Sequence, residues 1–250
     1  MSQPARTQPE PAPLETFPDD IDSVLCVVAH PDDLEYGTSA AVAAWTSTGK
    51  RVAYWLATRG EAGIDTMAPA EAAHVRAAEQ RAACAAVGVE DLTFGAHPDG
   101  VVEYGLALRR DIAREIRRHR PDLVLTLAYH ERFAGGMLNQ ADHRAVGLAC
   151  VDALADAGNR WVFPELIDDG FEPWSVPWLA IAAAEQPTHY VEVADAVEAG
   201  IASLEAHAAY NSALPQSFPR PRDLVTSILS AGGQAAGVEF AAAFECIRRG

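Results

Sequence analysis

A histidine and two aspartates stand together in Ala29-His30-Pro31-Asp32-Asp33, directly after the apolar run at 24–29 (VLCVVA). Imidazole and carboxylate are the side chains that bind divalent cations through nitrogen and oxygen, and a carboxylate also serves as a general base. Adjacent aspartates leave the backbone in different directions, so one can hold a cation while the other faces the attacking water. Pro31 fixes its own φ and restricts His30, which stiffens the turn. An acidic turn capped by a histidine is the competing explanation for these five residues alone. A second group, Asn139-Gln140-Ala141-Asp142-His143-Arg144, opens a helical stretch. Two imidazoles, His30 and His143, with one of the two aspartate carboxylates make a three-ligand set that keeps a position open for water. Asp142 is placed to cap the helix or to orient His143 from behind.

The elements around these groups explain how they meet. The run at 24–29 is continuous and apolar, as in a parallel strand covered on both faces. Further strands are expected at 51–58, 91–96, 122–128, 179–184 and 188–194. Helices are expected at 38–47, 69–87, 105–120, 142–157 and 195–210, with a Pro-rich loop at 215–222. Pro69 suits a first helical turn and Gly88 a helix stop. Strands alternating with helices predict a single α/β Rossmann-like three-layer domain with a mostly parallel sheet. In such sheets ligands bind beyond the carboxyl ends of the strands. His30 follows the first strand and His143 follows the fourth, so both face that crevice. The domain is expected over 21–250, preceded by a flexible Pro-rich leader over 1–20.

The chain has 250 residues, 49% of them hydrophobic, and a net charge of −16. That charge repels phosphate backbones, which argues against nucleic acid as a partner. No apolar run reaches the roughly 20 residues of a membrane span. The first residues lack the basic start and apolar stretch of a secretory signal, so a cytoplasmic location is expected. Cys26, Cys84, Cys150 and Cys246 are too scattered for a zinc knot or a disulfide frame and read as reduced thiols. The first strand-to-helix turn has no G-x-G-x-x-G, which disfavours a dinucleotide. A small-molecule substrate is the expected partner, with a homo-oligomer open.

Taken in order, AHPDDLEYG (29–37), TRGEAG (58–63), RAAEQRAACAAVGV (76–89), HPDG (97–100), DHRAVG (142–147) and EFAAAF (239–244) resemble the PIG-L/LmbE-like de-N-acetylase family of zinc hydrolases. The resemblance is close over 24–150 and looser beyond. It implies one Zn²⁺ per chain, held by His30, Asp33 and His143, with Asp32 as general base. It also implies that Glu61, Arg76 and Asp99 contact the sugar end of an N-acylated amino-sugar substrate. Each of those three has a plainer role available: a loop cap, a helix ion pair and a turn residue. The chain departs from the family at its later motif, where Gln140 and Ala141 replace a His-Pro pair. Gln140 can donate a hydrogen bond to an oxyanion, but it cannot shuttle a proton near neutral pH. Asn139 is an alternative donor and His130 an alternative acid. The activity implied is removal of an N-acyl, chiefly N-acetyl, group. An amidase acting on a thiol–sugar conjugate and a metal-binding member without activity are the alternatives. A non-haem Fe(II) facial triad uses the same ligand types, but its ligands usually sit on a jelly roll rather than after a parallel strand.

Overall fold

The computed structural model describes residues 12–133 and 136–249. Strand β1 (Glu15–Thr16) is followed by β2 (Ser23–Val28), helix α1 (Thr38–Ser47), β3 (Arg51–Leu56), α2 (Pro69–Ala86), β4 (Asp91–Phe94), α3 (Leu106–His119), β5 (Leu123–Leu127) and α4 (Ala141–Gly158). The second half adds α5 (Glu165–Asp168), β6 (Trp178–Ala182), β7 (His189–Glu192), α6 (Val197–Glu205), α7 (Ala208–Ala213), α8 (Pro221–Ala236) and β8 (Ala241–Arg248). The eight strands form one mixed sheet in the order β1-β7-β8-β6-β5-β2-β3-β4. Strands β4, β3, β2, β5 and β6 run parallel, and β8 lies antiparallel between β6 and β7.

The sheet is covered on both faces because side chains alternate along each strand. Val24, Cys26 and Val28 point into one core with Val42 and Trp45 of α1, Ile201 and Leu204 of α6, and Val225 and Leu229 of α8. Leu25, Val27 and Ala29 point into the other, with Leu108, Ile112 and Ile116 of α3 and Val146, Cys150 and Leu154 of α4. Each such aliphatic side chain contributes roughly 1.5–3 kcal/mol on burial, so β2 is anchored from both faces of the sheet. From β2 the chain first builds outward through β3 and β4, then returns to add β5 on the other side. This reversal of direction opens a crevice at the carboxyl ends of β2 and β5. Among the described residues no helix is long and apolar enough to cross a membrane.

Three parts of the chain differ from the sequence expectation. The helix expected over 195–210 stops at Glu205 and restarts at Ala208, with His207 between the two pieces in a non-helical conformation. The loop expected over 215–222 ends in Pro221, which is the first residue of α8. The glycine pair Gly232-Gly233 lowers the helical signal there. The end of the expected leader is tied into the fold: Glu15 and Thr16 pair with His189 and Tyr190, and Phe17 packs 5.0 Å from the ring of Trp45. Residues 1–11 of that leader lie outside the described residues. Cys26, Cys84 and Cys150 are buried and no cysteine is paired among the described residues.

Candidate metal centre

The turn after β2 is folded by Asp33 itself. Its Oδ2 accepts the backbone N–H groups of Ala29 and His30, both at 2.9 Å, which turns Oδ1 toward the crevice. His143 Nε2 lies 2.9 Å from that Oδ1, and His30 Nδ1 lies 3.5 Å from it and 3.2 Å from His143 Nε2. Tetrahedral zinc ligands at about 2.0–2.1 Å from the ion stand roughly 3.3 Å from one another, and all three edges fall close to that.

The outer nitrogens decide what the inner ones present. His30 Nε2 faces the carboxylates of Asp99 at 3.0 Å and Asp142 at 3.2 Å, so in the neutral, ligating ring the proton sits on Nε2 and Nδ1 carries a lone pair. His143 Nδ1 lies 3.0 Å from Asn139 Oδ1. The Asn139 amide donates to the carbonyls of Ala128 at 2.6 Å and His130 at 3.0 Å, which fixes its oxygen toward the ring. An amide oxygen only accepts, so Nδ1 is the donor and His143 Nε2 is bare. Two imidazole lone pairs and a carboxylate oxygen therefore converge on one point, an arrangement that a cation relieves. Burial pushes the Asp33 carboxyl up, but the facing imidazoles outweigh it and hold it well below the usual carboxylate range. Burial lowers the His30 pKa, while Asp33 and the carboxylates of Asp142 and Asp99 raise it more strongly. A ligating imidazole binds through neutral nitrogen, so metal uptake there displaces a proton.

A second group, His30 with Asp99 and Asp142, is also compact enough to hold an ion. Its carboxylates are already committed. Asp142 Oδ2 accepts Gly100 N–H at 2.7 Å and Oδ1 accepts Val102 N–H at 3.1 Å, while Asp99 Oδ2 accepts Ala62 N–H at 2.7 Å. This group orients His30 and fits the supporting role. The donor set His30–Asp33–His143 fits the divalent cation.

Helix α4 brings His143 to the strand ends. Gly147, one turn further on, sits where a Cβ would meet the Leu127 carbonyl oxygen at 2.8 Å, so only glycine lets the helix come this close to β5. At the other end of α4, the buried Arg117 guanidinium bonds the carbonyls of Asp156 and Ala157 and caps the helix.

Asp32 diverges from Asp33 because its backbone is left-handed, with φ of 82°. That conformation costs a non-glycine residue about 1–3 kcal/mol. The surroundings offset it. Asp32 Oδ1 accepts from Arg76 at 2.6 Å, Oδ2 accepts from the Tyr36 hydroxyl at 2.8 Å, and the Asp32 N–H donates to Gln80 Oε1 at 3.0 Å. Burial is the largest influence and pushes the Asp32 carboxyl up to about 6, against the pull of Arg76. Arg76 is buried, also donates to the Pro31 and Gly60 carbonyls, and lies over the Tyr210 ring at 4.0 Å. Gly63 is needed beside it, since a Cβ there would stand 2.3 Å from the guanidinium.

The remaining sequence candidates separate into four groups. Arg76 pairs with Asp32, where the sequence offered a helix carboxylate or the sugar as its partner. Glu61 and Asp99 tie two loops together: Glu61 Oε1 accepts Asp99 N–H at 3.0 Å, Glu61 Oε2 accepts Arg59 N–H at 3.2 Å, and Asp99 also backs His30. Asn139 is buried with both amide hydrogens spent, so the donor role offered to it as an alternative to Gln140 is not the one its geometry supports. Gln140 and His130 are exposed on the loop between β5 and α4, with the His130 ring against Tyr129 at 4.6 Å. Sequence reasoning missed Tyr36 and Gln80, which bond Asp32, Tyr210 against Arg76 and Glu35 behind Gln80. Arg76 and Gln80 share the buried face of α2 with Ala72 and Ala83. Two polar residues on an alanine face at helical spacing were the available signal.

The role of Asn139 is testable directly. Asn139→Leu removes the acceptor that holds the His143 tautomer and is expected to weaken zinc binding by about 10–100-fold, measured by competition with a chromophoric chelator.

Residues 25–154 match the family described as GlcNAc-PI de-N-acetylase, PIG-L. The chain is 26% identical over 190 residues to diacetylchitobiose deacetylase of Thermococcus kodakarensis, covering 75% of this chain and 70% of that one. It is 32% identical over 191 residues to the 1D-myo-inositol 2-acetamido-2-deoxy-alpha-D-glucopyranoside deacetylase of Kineococcus radiotolerans, covering 61% of this chain and about half, 49%, of the relative. In structure it is similar to N,N'-diacetylchitobiose deacetylase from Pyrococcus horikoshii, with a TM-score of 0.81 at 22% identity over 92% of this chain and 85% of that one. With more than half of its length matched to that family and its sheet superposing on a solved deacetylase, the chain belongs to the PIG-L de-N-acetylase family.

Proposed function

We propose that the protein is a zinc-dependent hydrolase that cleaves the N-acyl amide, chiefly N-acetyl, of a small amino-sugar compound, with one ion per chain held by His30, Asp33 and His143. The observation that carries this reading is the convergence of two imidazole lone pairs and one carboxylate oxygen, each oriented from behind, at the carboxyl end of the sheet. The deacetylase names of its relatives support the substrate class.

When bound, a divalent cation supplies Lewis acidity, polarising an amide carbonyl and lowering the pKa of a water molecule. The chain's own residues handle the proton. Both Asp32 oxygens keep a lone pair beyond the bonds from Arg76 and Tyr36, so the carboxylate accepts a proton from the attacking water. A carboxyl pushed up to about 6 by burial holds that proton and can return it to the departing nitrogen. The water oxygen forms the new bond to the acyl carbon, the carbon–nitrogen bond breaks, and the products are a carboxylic acid and a free amine. Gln140, at the start of α4, is the chain's candidate donor to the carbonyl oxygen.

The test is release of free amine and acetate from a panel of N-acetylated amino sugars, including N,N'-diacetylchitobiose and N-acetylglucosaminyl-inositol, by zinc-loaded protein. Release from at least one compound, lost on chelation and restored by zinc, is expected. Zinc-loaded protein that leaves the whole panel intact contradicts the proposal.

A further inference from the structure

Asp32 is gripped at both ends by one helix. Arg76 of α2 holds its carboxylate, and Gln80, one turn further along the same face, holds its backbone N–H. The second contact is the informative one, because a side-chain amide can face either way. Gln80 Nε2 donates to Glu35 Oε1 at 3.0 Å. Glu35 is fully buried, and Oε1 also accepts from the Ser203 hydroxyl of α6 at 3.3 Å. Glu35 Oε1 is the acceptor in this contact, so it draws the NH₂ of Gln80 to itself and leaves Gln80 Oε1 facing Asp32. Behind Glu35, His207 at the break between α6 and α7 is also fully buried, its Nε2 3.9 Å from Glu35 Oε1. A buried carboxylate is expensive to maintain in a core.

We infer that Glu35 and Gln80 are a positioning pair: Glu35 sets the orientation of Gln80, and Gln80 holds the Asp32 amide in its left-handed conformation so that the carboxylate faces the reacting water. The inference rests on the proposed role of Asp32 as general base. Neither residue touches substrate or ion; both act through Asp32. Without Gln80 the Asp32 N–H is buried and unpaired, and the turn relaxes away from φ 82°.

The test uses full-length, zinc-loaded protein carrying Gln80→Met, Glu35→Met or Glu35→Gln, assayed on N,N'-diacetylchitobiose or whichever panel compound the wild type cleaves. Gln80→Met and Glu35→Met are expected to lower kcat by about 10–100-fold, with KM within about twofold and zinc content unchanged. Glu35→Gln keeps an oxygen for Gln80 Nε2 and is expected to retain kcat within about threefold of wild type. Hydrogen–deuterium exchange supplies a readout independent of turnover: the segment 30–37 exchanges faster in the two Met variants and as in wild type in Glu35→Gln. Wild-type kcat and wild-type exchange in Gln80→Met overturn the inference. Equal losses in Glu35→Gln and Glu35→Met also overturn it, since they assign Glu35 a charge role instead. If the wild type cleaves nothing, the functional proposal fails while the exchange result still decides the positioning pair.

Discussion

Asp32→Asn is expected to lower kcat by about 10²–10⁴-fold while leaving the protein folded with its full complement of zinc. Asparagine is the right replacement because it tolerates a left-handed backbone better than alanine does, and Asp32 sits at φ 82°. Its carbonyl oxygen can still accept from Arg76, which also keeps the Pro31 and Gly60 carbonyls as acceptors. What is lost is the ability to take a proton. The buried guanidinium loses its anionic partner, so the melting temperature falls as well, and kinetics are compared below it. The metal should be unaffected, because Asp32 does not belong to the compact His30–Asp33–His143 group. A variant turning over at near the wild-type rate removes Asp32 from the chemistry.

The second large effect concerns the ion. Chelation is expected to abolish turnover completely and to lower the melting temperature by about 10 °C relative to protein in zinc at a thousand times its dissociation constant. The stability term comes from binding itself: an ion held among His30, Asp33 and His143, whose facing atoms lie 2.9–3.5 Å apart, binds the folded chain and not the unfolded one. Scanning calorimetry with and without chelator, followed by readdition of zinc, reads both the loss and its reversal. An unchanged melting temperature would mean that the folded state binds no ion at this point.

The meeting of the candidate ligands could be read from the chain because they follow strands with unambiguous apolar runs. His30 and Asp33 come straight after β2, and His143 opens the helix after β5, so the rule for parallel sheets brings them together. Asp142 lies at the centre as its position suggests, but it backs His30 rather than His143 and does not cap α4. The partners of Asp32 could not. Gln80 reaches it from α2, Tyr210 of α7 lies against Arg76, and Glu35 and His207 lie behind, so their meeting depends on how α2, α6 and α7 pack, which no short motif encodes. Asn139 shows the same limit on a smaller scale: the sequence gives an amide beside the centre, but only the carbonyls of Ala128 and His130 determine which end faces His143. In the second half, α8 was hidden by a proline that starts a helix rather than breaking one and by the Gly232-Gly233 pair. The Rossmann-like class survived these errors because it follows from β2 to α4 alone.

The account stands on where a cation binds. Crystals of the zinc-loaded protein, measured on both sides of the zinc absorption edge, should give one anomalous peak per chain, lying between His30 Nδ1, Asp33 Oδ1 and His143 Nε2. A peak on the opposite side of His30, between Asp99 and Asp142, or no peak at saturating zinc, would contradict it.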